Sequence, residues 1–186
     1  MANVRLSEDN LRKNLHICRT FIPFASGSDI KLSTRLGGIP GFPAFIGFGS
    51  SDISINYLND VINLDDEFAN YAIPLVESST IDMLVATFYP SPIGIFGREV
   101  ITVCAQLYSA DNTSNIFKPI KETLLKLKPS YNGNSSIPNI SYAKKVDVKA
   151  NLRTGTRILL LFFTEAESGG DTTEIQGYAS AGITII

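Results

Sequence analysis

From Thr20 onward the chain runs in short extended segments cut off by Gly, Pro, Asn and Ser, and this punctuation limits its fold more than any other feature. Residues 99–110, EVITVCAQLYSA, show the clearest period of two. Ile101, Val103, Ala105 and Leu107 point one way, and Thr102, Cys104, Gln106 and Tyr108 the other. Such a segment is expected to be a half-buried antiparallel strand. STIDMLVATFYP (79–90) and GTRILLLFFTEA (155–166) are more uniformly apolar, which suits central strands covered on both faces by a second sheet or by another subunit. TFIPFA and DIKLST flank Ser26 to Ser28, a spacing that predicts a hairpin. RLGGIPGFP reads as a loop leading into AFIGFG, and ADNTSN and NGNSSIPN read as turns.

About eight to ten strands with almost no helical periodicity point to an all-β sandwich or barrel, with a jelly roll the leading choice. With 186 residues, 44% apolar and 18% charged, the chain has enough apolar material for one domain with a sizeable core. Residues 1–19 stand apart as an N-terminal arm. There Leu11, Leu15 and Cys18 fall at i, i+4 and i+7, the stripe of a short helix that needs something to pack on. Residues 20–186 make up the expected β-sandwich domain.

Several function classes are disfavoured by composition. A formal net charge of −2 offers no basic footprint for nucleic acid, and the Lys118 to Lys128 cluster reads as a solvated strand face. The longest apolar run, Ile158 to Phe163, is far short of the ~20 residues of a membrane-spanning helix. The charged N-terminus lacks the apolar stretch of a signal peptide, so export by the general secretory route is not expected. Two cysteines, Cys18 and Cys104, make neither a disulfide framework nor a four-ligand metal site.

No catalytic arrangement emerges. His16 is the only histidine and lies in the arm, where it reads as a solvent-facing residue. GYASAG around Ser180 has the wrong spacing for a nucleophile elbow, and GFGSS at Gly47 to Ser51 lacks the lysine of a phosphate loop. Asp60, Asp65, Asp66 and Glu67 form the one calcium candidate, though their spacing matches no EF-hand. The expectation is therefore a non-enzyme without a cofactor.

Seven blocks, in order, carry a resemblance. They are FIPFASG (21–27), LGG (36–38), AFIGFGSS (44–51), ITVCAQLYSA (101–110), IFKPI (116–120), GTRILLLFF (155–163) and GYASAGI (177–183). Together the chain resembles the C-terminal globular domain of bacterial spore-surface collagen-like glycoproteins of the BclB type. The resemblance implies a structural protein of the endospore surface, in exosporium or outer coat, made in the mother cell. It also implies a jelly-roll trimer like the tumour-necrosis-factor and C1q class. This chain has no collagen-like Gly-X-Y region and no Pro-rich targeting leader. A subunit that polymerises or coats a surface is accordingly expected in place of a filament tip.

The partners expected are copies of the same chain, as homotrimer or polymer, together with other spore-surface proteins. Interface residues are expected at Leu11, Leu15 and Cys18 of the arm, acting as a connector, and in the charge-free end GYASAGITII at Tyr178, Ala179, Ala181, Ile183 and Ile185. Two further readings remain open at this stage: a lectin-like or ligand-binding jelly-roll module, and a capsid or fibre protein.

Overall fold

The computed structural model describes residues 19–54, 56, 58, 61–64, 66–96, 99–132, 139–167 and 172–186. Fourteen strands follow in chain order: β1 (Thr20–Ala25), β2 (Ile30–Ser33), β3 (Ala44–Ile46), β4 (Ser51–Ile53), β5 (Ile62–Asn63), β6 (Ile73–Pro74), β7 (Ser79–Phe96), β8 (Ile101–Ala110), β9 (Ile116–Pro119), β10 (Leu125–Lys126), β11 (Ser141–Lys145), β12 (Ala150–Leu152), β13 (Arg157–Ala166) and β14 (Glu174–Ile185). Two 3-10 helices, Asp66–Tyr71 and Lys121–Thr123, sit in the connections.

The strands form a six-stranded and an eight-stranded sheet, antiparallel at every named pairing. In the first sheet β14 lies between β7 and the pair β1 and β2, while β11 and β12 line the far side of β7. In the second, β13 and β8 are central, flanked by β3 and β6 on one side and by β9 and β10 on the other. The chain crosses between sheets after β2, before β7, after β7, before β11, before β13 and after β13. Central strands from remote parts of the sequence thus lie side by side, which is jelly-roll connectivity. The all-β jelly-roll sandwich expected of the sequence is the fold observed.

β1 and β2 do not pair with each other. Both lie along β14, with Phe24 opposite Ala181 and Ile30 opposite Gly177. The expected hairpin at Ser26 to Ser28 is therefore an offset within one lane. Ser26 maintains the ladder across it, its N–H donating to Ala179 O at 2.9 Å while its Oγ accepts from the Ala179 N–H at 3.2 Å.

The inner faces build the main core. Leu84, Ala86 and Phe88 of β7 and Ala179 and Ile183 of β14 meet Val103, Ala105 and Leu107 of β8 and Leu160 and Phe162 of β13. Each fully buried Leu, Ile or Phe contributes roughly 1.5–3 kcal/mol. A second cluster covers the outside of the eight-stranded sheet, where Leu159 and Leu161 of β13 and Tyr108 of β8 pack with Phe45, Ile62, Leu64, Phe68 and Phe117. Consequently β8 is buried on both faces and not half-buried as expected. The period-two division of its residues holds, but on the second face Tyr108 is covered by Ile62, Leu64 and Phe68, while Thr102 and Gln106 bond Ser130 and Ile120 O.

The six-stranded sheet has no such roof among the described residues. Its free edge at β1 is also poorly suited to strand addition. Ala25 turns its backbone outward, donating to Gly47 O and accepting from the Gly49 N–H, so Pro23 of the same parity faces the edge without an N–H to offer.

Candidate interaction face

The outer surface of the six-stranded sheet is assembled by register. Tyr178 lies opposite Tyr89, Ser180 opposite Thr87, Gly182 opposite Val85 and Thr184 opposite Met83. On the β1 side Pro23 pairs with Gly182 and Phe21 with Thr184. On the far side Tyr142 pairs with Thr87 and Lys144 with Val85. These rows hold one charged side chain, Lys144. Four large apolar or aromatic residues stand on this face: Phe21 at 64% exposure, Tyr89 at 54%, Tyr178 at 49% and Tyr142 at 48%.

The face is grooved. A shallow depression of about 390 Å³ runs along Gly182 and Ser180 and is walled by Phe21, Met83, Val85 and Thr87. Gly182 makes it possible, because a Cβ there would come within 2.3 Å of the Phe21 ring, which lies across the strand. The hydroxyls of Thr87 and Ser180 meet at 2.6 Å in a single hydrogen bond, which leaves the accepting hydroxyl its own proton to donate. At one end the Arg19 guanidinium pairs with Asp82 at 3.3 Å, so that charge is compensated. Chemically the face offers apolar and aromatic area, with no nucleophile beside a base and no ion-binding cluster.

The charge-free stretch of β14, Gly177 to Ile185, thus has two separate explanations. Ala179, Ala181, Ile183 and Ile185 turn inward against the chain's own core, where Ile183 is fully buried and Ala179 nearly so. Of these four, expected at an interface, Ala179 and Ile183 are core residues, and Ala181 and Ile185 are half-buried against the same core. Tyr178 faces outward on the open surface. Ser180, Gly182 and Thr184 share that outward parity, as do Glu174, paired with Lys31, and Gln176, bonded to Asp29.

Leu11, Leu15, His16 and Cys18 lie outside the described residues, as do Asp60 and Asp65. Asp66 and Glu67 open the first 3-10 helix, with their side chains outside what is described. Among the described residues no group of three or more His, Cys, Asp or Glu is placed to hold a metal ion, and no helix is long and apolar enough to cross a membrane. Cys104 is buried in the eight-stranded sheet. That burial, with the nearby Glu165 carboxylate, pushes its thiol up to about 12.

Sequence reasoning did not single out Phe21, Met83, Val85, Thr87, Tyr89 or Tyr142. In residues 79–90 inward and outward positions are both apolar, so the period of two is hidden in composition. Its trace is that Thr87 and Tyr89, the amphipathic members, share a parity with Met83 and Val85.

No family model and no curated protein matches the chain. Solved structures of virus capsid proteins resemble it. The crystal structure of the infectious bursal disease virus VP2 subviral particle aligns at a TM-score of 0.42 and 11% identity, over 90% of this chain and 33% of that one. T=1 particles derived from infectious bursal virus align at 0.41 and 10%, over 90% and 32%. The T13 viral particle of infectious bursal disease virus aligns at 0.39 and 9%, over 90% and 34%. The chain spans about a third of the length of these structures.

Proposed function

We propose that this chain is a structural β domain of the bacterial endospore surface that assembles with copies of itself through the outer face of its six-stranded sheet. The observation that carries this reading is the part of the face around Phe21, Tyr89, Tyr142 and Tyr178: four lanes wide and rich in aromatic residues, with Lys144 and the Arg19–Asp82 and Lys31–Glu174 pairs at its borders. An interface core is enriched in Tyr, Phe and Met and depleted in charged residues, with charges left to the rim. A face with its charges at the borders meets its own copy with little like-charge repulsion, so self-contact carries little electrostatic cost. Pro23 at the β1 edge favours face-to-face contact over strand addition.

The spore-surface assignment is supported by the resemblance. Its blocks FIPFASG and GYASAGI lie side by side as β1 and β14, and ITVCAQLYSA and GTRILLLFF lie side by side as β8 and β13. The family pattern therefore falls on paired strands that build both sheets and on part of the open face. Whether contact through this face closes into a trimer or propagates as a fibre depends on whether its rotation closes.

Light scattering and negative-stain imaging of the purified chain test the reading, alongside Y178D, which places a carboxylate at an exposed position. The expected result is an assembly that Y178D converts to folded monomer with parent-like circular dichroism and a melting temperature that no longer depends on protein concentration. A wild-type chain that is monomeric at 100 µM, or an assembly indifferent to Y178D, would refute the role of the face. Immunogold labelling of thin-sectioned spores tests the location, and label confined to the core would refute it.

A further inference from the structure

We infer that a second site, the groove between β9 and the turn joining β12 to β13, binds a sugar acid: a hydroxylated ligand carrying a carboxylate. The cavity measures about 510 Å³, within the usual range for small-ligand pockets of roughly 300–1,000 Å³. It lies where the two sheets part, with β8 and β9 on one side and β12 on the other.

Two cations flank its mouth, Lys118 from β9 and Arg153 from the turn, against the single carboxylate of Asp111. Neither cation has an ion-pair partner among the described residues. A guanidinium fork matches a carboxylate bidentately, and an ammonium adds a second donor set from the opposite wall.

The remaining polar groups suit hydroxyls. Asn151 Oδ1 accepts from the Thr80 hydroxyl at 2.7 Å, which fixes the amide so that its NH₂ is left to donate. Ser114 Oγ accepts from the Ile116 N–H at 3.1 Å, leaving its O–H to donate. Ile116 and Leu152 supply an apolar surface for the C–H face of a ring.

The wall of the groove is held in place from behind. The Arg157 guanidinium donates to Ser114 O at 2.6 Å and Asn115 Oδ1 at 2.8 Å while lying 5.2 Å over the Phe117 ring. The turn carrying Asp111 and Ser114 is thus preorganised by a cation that does not itself line the groove. This site takes β12 from the six-stranded sheet but none of Phe21, Tyr89, Tyr142 and Tyr178 lines it, so it stands without the open face.

Isothermal titration of the full chain with glucuronate, glucose and inorganic phosphate tests the inference, with the K118A/R153A variant in parallel. Both residues are exposed, so circular dichroism and melting temperature of the variant are expected to match the parent. The expected result is saturable glucuronate binding, at least tenfold weaker glucose and phosphate binding, and at least a tenfold loss for glucuronate in the variant. Absence of glucuronate binding at 10 mM would overturn the inference. Glucose bound equally well would remove the role of the cations, phosphate bound equally well would remove the sugar, and an unaffected variant would remove the site.

Discussion

Two glycines on β14 provide a controlled comparison, because the same substitution meets a rigid obstacle at one and a movable obstacle at the other. At Gly177 an added Cβ would lie 2.4 Å from Tyr89 O and 2.8 Å from both Pro90 Cα and Phe88 Cζ. Ordinary contact begins near 3.5 Å, so backbone in the adjacent ladder has to retreat by roughly 1 Å. Overpacking of this kind costs about 1–3 kcal/mol, against a gain of about 0.5–1 kcal/mol for replacing Gly by Ala in a strand. G177A is therefore expected to lose about 1–2 kcal/mol, or about 2–8 °C of melting temperature for a chain of this size.

At Gly182 the same Cβ meets only the Phe21 ring, at 2.3 and 2.7 Å, and that side chain is largely exposed and free to swing away. G182A is expected to be neutral or up to about 1 kcal/mol more stable. Displacing Phe21 alters the outer face, so G182A is also expected to weaken assembly while sparing the fold. Urea unfolding at fixed protein concentration, followed by circular dichroism or tyrosine fluorescence because the chain has no Trp, gives both values with an unchanged slope. Equal losses at the two sites would refute the distinction between fixed backbone and movable ring. A neutral G177A would refute the register that sets Gly177 opposite Pro90.

Two further outcomes follow from buried polar groups. Tyr131 donates its hydroxyl to Asn139 O at 2.7 Å and approaches Phe88 O at 3.3 Å, so Y131F keeps the ring but removes this part-buried hydrogen bond. It should cost about 1–2 kcal/mol in urea unfolding, and an unchanged midpoint would show that water reaches Asn139 O. Cys104 keeps its proton to about 12 in the folded chain, against 9.0 for an ordinary thiol. Between these values the unfolded chain ionises and the folded chain does not, so Cys104 is predicted to make stability fall by about 1.4 kcal/mol per pH unit as pH rises. C104A should flatten that slope, and identical slopes in parent and variant would refute the burial of the thiol.

The parts of the fold legible in the sequence were those decided within one strand. The alternation of residues 101–108 divides them correctly between two faces, and the uniform apolarity of residues 158–163 does correspond to a strand buried on both. What was not legible depended on distant chain. Nothing in TFIPFA or DIKLST shows that both align on β14, some 150 residues later, so local spacing suggested a hairpin. The open face was hidden for a similar reason. Inward Leu84 and Phe88 and outward Val85 and Tyr89 are all apolar, and only the roof over one sheet and its absence over the other separates core from surface.

The central position of β14 also sets when the molecule can fold. This strand lies between β1 and β7 and carries β2 as well, yet it is the last of the fourteen to be synthesised. Until it emerges, β1, β2 and β7 lack their shared partner and leave apolar strand edges unpaired. Pairings of such long sequence separation are slow to form, on the order of milliseconds to seconds, and expose the intermediate to aggregation. Completion of this sandwich therefore waits on the emergence of its twelve-residue strand β14. A ribosome stalled before residue 174 would hold a chain whose six-stranded sheet has no centre.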